Sequence, residues 1–270
     1  MQGSSINSYQ PVYRSNLSMS EPVNNIAGVQ PALPPVILPN GSAYVKSYVF
    51  PQIVYPQKPE SLSNIPGVKD PVILEALNKL REVRYLPGDA EYIRNMGLKT
   101  IYNNGQEAIN MLISKNLKVE FGQVSDPAIH AQWINSENKV IINEKYKDTK
   151  DPAVIMAISE AIFHELGHAK DGDELSSIQE ELECLALNTL AYRYHRAYYP
   201  DAFKSAANAD IINNGVSLYE KLFFDPDIEK KGLVNRVIDK YGSLPLESPN
   251  HSLPIAALVE KRLANVNESS

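Results

Sequence analysis

The pentapeptide His164-Glu165-Leu166-Gly167-His168 constrains this chain more than any other part of its sequence. Two imidazoles four residues apart lie on one face of an α-helix, about 5–6 Å apart at Cβ, and can bind one ion between them. Glu165 follows the first histidine directly and projects to the side of the pair. There it can accept a proton from water at the ion instead of acting as a ligand. The motif therefore predicts a helix that carries a metal centre.

The residues around the motif favour a helix with defined ends. Asp151-Pro152 supplies an N-cap and a proline at the first helical position, where the missing N–H is not needed. Apolar residues then recur at helical spacing as far as Leu166, and Gly172 in a polar run is a candidate C-cap. We therefore predict one continuous metal-binding helix between this cap and Gly172.

Length, charge and cysteine content limit the class of protein. A chain of 270 residues suffices for one domain with an appendage, and its net charge of −6 argues against non-specific nucleic-acid binding. Cys184 is the single cysteine, which excludes an intramolecular disulfide and a thiolate zinc cluster. The first residues lack the pattern of a signal peptide, and no apolar run reaches the ~18 residues of a membrane span. We expect a soluble, cytoplasmic protein with neither a membrane nor a nucleic-acid partner.

Proline content divides the chain, because 11 of the 19 prolines fall within residues 1–71. We predict that residues 1–65 are extended or disordered and that residues 66–270 form the folded domain. The elements expected before the metal-binding helix are a helix from Asp70, a strand at 98–102, a helix at 106–115, a strand at 117–124 and a hairpin of 129–134 with 139–143. The elements expected after it are a long helix from Ser177 to near His195, a helix from Asp225 and another at 253–263.

A third ligand is expected from the helix that follows, since two histidines alone form a weak site. A short turn would return that helix antiparallel to the level of the metal, where Glu180, Glu181 and Glu183 lie. The apolar residues of the helix define a buried face, and Glu181 lies on the flank of that face. Glu180 and Glu183 are predicted to point toward solvent. Periodicity therefore favours Glu181 as the third ligand.

Two other acidic residues remain alternatives to Glu181. Glu180 is one of them, although the helix macrodipole already explains a glutamate at this N-terminus without any metal role. Glu174 falls six residues after His168, where metzincin peptidases place a third ligand after a glycine turn. Asp171 occupies the position of that glycine here, and Gly172 comes one residue late.

Residues 104–197 resemble the gluzincin metallopeptidases, and in particular their short, minimal members. His164, Glu165 and His168 match the motif of that family, and Glu181-Leu182-Glu183-Cys184 resembles the Glu-x-Glu-Ala stretch that carries its third ligand. The resemblance implies a zincin-like core and a strand at the edge of the cleft that pairs with extended peptide.

The chain departs from the family at one supporting position. Gluzincins usually have Asn or Asp four residues after the ligand glutamate, where it supports a histidine, but Leu185 stands there in this chain. Asn188, seven residues after Glu181, is the candidate substitute. His251 in the C-terminal part is a candidate for stabilising the oxyanion, a role that the family often gives to His or Tyr.

We therefore expect an α+β protein with a zincin-like metallopeptidase core, a helical C-terminal part and a disordered N-terminal segment. His164, His168 and Glu181 would hold Zn²⁺, and Glu165 would act as general base on a metal-activated water. The expected reaction is hydrolysis of a peptide bond in a peptide or protein substrate. The alternative is a zincin-like domain that binds zinc for an interaction and catalyses nothing.

Overall fold

The computed structural model describes residues 36–37, 43–44, 65, 68–171, 176–205, 210–224, 230–241 and 244–245. Glu174, His251 and the predicted helix at 253–263 lie outside these residues. So does most of the segment 1–65, and its predicted boundary and disorder stay predictions. Strands β1 (Val36–Ile37) and β2 (Ala43–Tyr44) pair antiparallel in a unit of their own, residues 14–60.

The predicted α+β class is confirmed, because the rest of the described chain combines a small sheet with helices. The sheet consists of β3 (Lys118–Gly122), β4 (Ala131–Ile134) and β5 (Lys139–Asn143). The described helices are α1 (Pro71–Glu82), α2 (Asp89–Asn95), α3 (Gly105–Ser114), α4 (Pro152–Asp171), α5 (Ile178–Tyr198), α6 (Pro200–Ser205), α7 (Ser217–Phe224) and α8 (Lys230–Tyr241). None of these helices is both long enough and apolar enough to cross a bilayer.

Side-chain caps start the two helices that matter most for the site. The Asp151 carboxylate accepts a hydrogen bond from the Ala153 N–H at 2.9 Å, and α4 begins at Pro152 as the sequence predicts. The Ser177 hydroxyl accepts one from the Glu180 N–H at 3.1 Å, so α5 begins directly after it. Each cap satisfies an N–H group that has no partner within its helix.

The sheet order is β3–β5–β4, with β5 parallel to β3 and antiparallel to β4. The β4–β5 pair is the predicted hairpin, and Asn138 at its turn has a φ of 51°. Buried Val119, Ala131, Val140 and Ile142 lie on one face of the sheet, which packs against the helices. Strand β4 is thus an edge strand, and it lies beside α4.

The predicted strand at 98–102 is wrong, because this segment is an irregular loop between α2 and α3. Its apolar side chains are buried against helices instead of alternating across a sheet. Tyr102 is fully buried, and its hydroxyl donates to the Leu166 carbonyl of α4 at 2.6 Å. The loop therefore supports the motif helix directly.

Helix α4 lies at the centre of the fold and packs against α1, α5 and β4. Its crossing with α5 is close at Gly167. A Cβ atom at that position would lie 2.6 Å from the Cys184 sulfur and 3.2 Å from the Leu187 side chain. The glycine therefore lets the two helices approach at the level of the motif. On its other side, α5 packs against α7 and α8 in a second apolar cluster.

Candidate metal centre

His164 and His168 on α4 meet Glu181 on α5, and one ligand atom from each lies within 4.8 Å of the others. The Nε2 atoms of the two rings are 3.2 Å apart. Glu181 Oε2 lies 3.6 Å from Nε2 of His164, and its Oε1 lies 3.6 Å from Nε2 of His168. The expected proximity of these side chains is thus present, whereas metal ligation itself stays a prediction.

These distances fit a tetrahedral zinc ion. Zinc binds imidazole nitrogen and carboxylate oxygen at about 2.0–2.2 Å, so two ligand atoms at a tetrahedral angle lie about 3.4 Å apart. The observed separations of 3.2 and 3.6 Å lie on either side of that value. Three ligands from two helices leave a fourth position for water or substrate.

The orientation of both imidazoles is fixed by hydrogen bonds at their outer nitrogens. Nδ1 of His164 lies 2.8 Å from Oδ1 of Asn188, and Nδ1 of His168 lies 2.6 Å from Oε1 of Glu180. Both partners are acceptor oxygens, so each Nδ1 carries a hydrogen, and Nε2 is the nitrogen of each ring that faces the centre. This is the arrangement that makes a histidine a metal ligand.

The charges around the centre favour a cation. Burial lowers the pKa of His168, but Cys184, Glu181 and Glu180 raise that pKa by more. Burial raises the pKa of Glu181, but His168 and His164 outweigh this effect and lower the pKa to about 2. Among the described residues, Oε2 of Glu181 has no hydrogen-bond partner. A buried carboxylate that stays ionised between two imidazoles requires a positive charge beside it, which a proton on His168 supplies in the metal-free protein and a bound metal ion would supply in its place.

The prediction that Glu180 and Glu183 point to solvent is wrong. Glu180 is 4% exposed and contacts His168, so its role is not limited to the helix macrodipole. Glu183 is fully buried and accepts hydrogen bonds from the Lys99 N–H and the Gln179 side chain. Periodicity failed because this half of α5 is buried on every side. The sequence does contain a signal for this, since residues 182–192 include only one charged residue.

Glu165 lies next to the ligand group but outside it. Its Oε2 accepts a hydrogen bond from the backbone N–H of Trp133 on β4 at 2.8 Å. Burial raises the pKa of Glu165, and His164 and His168 only partly offset that rise. The motif glutamate is thus held between the histidine pair and the edge strand. The sequence did not indicate this role for the Trp133 backbone.

Strand β4 presents backbone groups to the site. The Asn143 N–H donates to the His130 carbonyl at 3.0 Å, which makes these opposite residues a hydrogen-bonded pair. In an antiparallel ladder such pairs alternate, so the N–H and C=O groups of Ala131 and Trp133 point away from β5. The Trp133 N–H reaches Glu165 on this outer edge. The edge strand therefore lies beside the predicted catalytic carboxylate.

Lys240 in the last turn of α8 contributes positive charge near the centre. The carbonyl of Pro245, just beyond α8, accepts a hydrogen bond from the Ile178 N–H at 2.9 Å and so joins this end of α8 to the start of α5. Burial lowers the pKa of Lys240, and the carboxylates of Glu181 and Glu165 offset only part of that fall. The cation thus offsets part of the negative charge of the two glutamates.

Substitution of Asn188 with Ala is expected to weaken zinc binding by about 10–100-fold, because it removes the acceptor that orients His164. Zinc affinity would be measured by competition with a chromophoric chelator. Asn110→Ala, on the exposed face of α3, is the matched control and should bind zinc as the unmodified chain does. Equal affinities for the two variants would contradict the assigned role of Asn188.

Comparisons with protein-family models, with curated proteins and with solved structures find no match to this chain. What the chain does must therefore be inferred from the chemistry of the site itself.

Proposed function

We propose that this chain is a zinc-dependent metallopeptidase of the HExxH type, with a gluzincin-like ligand set of His164, His168 and Glu181. The observation that supports the proposal is the convergence of the Nε2 atoms of two histidines, each bonded at Nδ1 to an acceptor oxygen, and one buried carboxylate. Helices α4 and α5, with β4 beside the motif, are also the elements that a zincin-like core requires.

Glu165, which lies beside the three proposed ligands, favours zinc over other metal ions. Two histidines and one carboxylate are also the ligands of non-haem iron oxygenases. Such a centre needs no carboxylate next to its open position, whereas a hydrolase needs a base there. When bound, Zn²⁺ polarises the scissile carbonyl and lowers the pKa of water at its open position to about 7. In this proposal Glu165, which is next to His164 in the chain and bonded to the Trp133 N–H, supplies that base.

Glu165 performs the proton transfers in this proposal. Its Oε2 is fixed by the Trp133 N–H, so Oε1 is the atom that accepts a proton from the attacking water. The same atom then delivers the proton to the amine that leaves when the peptide bond breaks. Atoms and charge balance over the cycle, because Glu165 begins and ends as a carboxylate.

The substrate in this proposal is an extended peptide. The outward C=O and N–H groups of Ala131 and the C=O of Trp133 form the edge along which a peptide strand pairs with β4. Backbone pairing recognises any sequence, so side-chain preference would depend on the walls of the cleft. A peptide bound along this edge passes beside Glu165, which holds the Trp133 N–H.

The test combines metal analysis with peptide turnover. The purified chain is expected to contain one zinc per molecule and to cleave members of a random fluorogenic peptide library. Treatment with a chelator should abolish cleavage, and added Zn²⁺ should restore it. A chain that binds zinc but cleaves none of the library would instead be a non-catalytic zincin-like domain. A chain that binds no zinc would refute both functions.

A further inference from the structure

A second acid–histidine pair lies in the core of the protein, away from the metal ligands. Glu160 on α4 and His195 on α5 are both 0% exposed, and Oε1 of Glu160 lies 2.8 Å from Nδ1 of His195. Nε2 of His195 lies 3.3 Å from the carbonyl oxygen of Lys79. That carbonyl is among the last four of α1, which have no partner within the helix. The pair therefore joins three helices.

The number of hydrogens in this pair follows from its partners. A carbonyl oxygen only accepts, so Nε2 of His195 must carry a hydrogen to bond Lys79. The contact between Nδ1 and Glu160 needs a second hydrogen. A neutral imidazole and an ionised carboxylate hold only one hydrogen between them. The folded pair thus holds one proton more than these two side chains hold at pH 7 in an unfolded chain.

We propose that Glu160 and His195 retain this proton as a neutral acid–imidazole pair, and that the pair positions His164 by fixing α4 against α5. The proton part of the proposal stands independently. The positioning part rests on the proposed metal site.

The neutral form is favoured over a buried ion pair. Among the described residues, Oε2 of Glu160 has no hydrogen-bond partner. An unpaired oxygen costs far less on a neutral carboxylic acid than on a carboxylate buried in an apolar core. In agreement, burial raises the pKa of Glu160 well above its usual value and lowers the pKa of His195 to about 3.

The pair extends a series of polar contacts along the α4–α5 interface. The contacts of His168 with Glu180 and of His164 with Asn188 orient the two metal ligands. Glu160 lies one turn before His164, and His195 lies seven residues after Asn188, so they form the next contact on the same helix faces. A directional hydrogen bond at this depth opposes rotation of α4 about its axis, which apolar packing alone tolerates.

The titratable groups that pack around Glu160 and His195 would not produce the same dependence of stability on pH. From α1, the Lys79 ammonium pairs with Glu82 at 3.4 Å. From α5 and the residue after it, the rings of Tyr192, Tyr194 and Tyr199 lie nearby, and burial raises the pKa of each. These tyrosines therefore stay neutral at neutral pH.

The proton part is tested by comparing unfolding of the purified unmodified chain and of Glu160→Gln, prepared with the same metal content, as a function of pH. The amide that this substitution introduces can donate to His195 without binding a proton. Because folding of the unmodified chain takes up one proton, its folding constant should fall about tenfold per pH unit above about pH 7, relative to the variant. Infrared difference spectra should show a protonated carboxyl band that the variant lacks. Parallel pH profiles with no such band would overturn the proposal.

The positioning part is tested by zinc affinity at pH 7. Glu160→Gln should bind zinc as the unmodified chain does. Glu160→Met fills the same space but has no hydrogen-bond donor, and it should bind zinc about tenfold more weakly. Tenfold is the low end of the effect of a residue that supports a ligand without touching the metal. Glu160→Met leaves Nδ1 of His195 without a partner and should therefore lower the unfolding temperature, so the three zinc affinities are compared at a temperature at which circular dichroism shows all three proteins to be folded. Equal zinc affinity in all three proteins would overturn the positioning role. Neither readout uses peptide cleavage, so failure of the proposed peptidase activity would be seen separately.

Discussion

Replacing Glu165 with Gln is expected to lower kcat for peptide cleavage by about 10²–10⁴-fold while leaving one zinc per chain. Gln keeps the size and the acceptor oxygen that bonds the Trp133 N–H, but it cannot accept a proton from water. Since the carboxylate lies outside the ligand group, its loss removes the base and not the metal. The KM for peptide should change little, because the proposed substrate pairs with the backbone edge of β4 and not with Glu165.

The measurement pairs kcat with zinc content for the same preparation. Glu91→Gln, at an exposed position on α2, is the matched control and should retain both. Unchanged turnover in the Glu165 variant would refute the assignment of the general base. Loss of zinc from that variant would show that Glu165 is a ligand, which would refute the proposed arrangement.

Replacing Glu181 with Ala is expected to reduce zinc affinity more than Asn188→Ala does. Loss of a residue that orients a histidine costs about 10–100-fold, and loss of a ligand should cost more. Glu181 supplies the only carboxylate in the described ligand group, and two histidines alone form an open, weak site. Activity should be lost with the metal, and a large excess of zinc should restore little of it.

Glu174→Ala provides the sharpest comparison for this variant. If Glu181 is the ligand, the Glu174 variant should retain zinc and activity. Zinc loss from the Glu174 variant together with zinc retention by the Glu181 variant would establish the metzincin-like alternative. Circular dichroism of both variants would exclude unfolding as the reason for metal loss.

The sequence predicts the part of the site that depends on local rules. The histidine spacing, the Asp151 cap and the length of the turn to the next helix are enough to bring Glu181 to the histidines. Capping and turn geometry act over a few residues, so they can be read from one chain. The α4–α5 pair was predictable for this reason.

The sequence could not predict the contacts that depend on distant packing. Helical periodicity assumes a solvent-exposed face, and α5 has none near its start, so Glu180 was assigned to the wrong side. The apolar residues of the loop at 98–102 resemble those of a buried strand, because Leu98 packs in the cluster around α5 and Tyr102 bonds to α4. The Trp133 N–H reaches Glu165 only through the edge position of β4, which is a property of the whole sheet.

Leu166 and Gly167, the two residues between Glu165 and His168, should differ in the substitutions that they tolerate, because Gly167 lies where α4 and α5 touch. Leu166 fills apolar space, where another hydrophobic residue of similar volume would serve. At Gly167 the Cys184 sulfur occupies the space that even a methyl group would need. In proteins that inherit this helix pairing, we therefore expect positions 167 and 184 to co-vary: a larger residue at 167 on α4 would require a smaller one at 184 on α5.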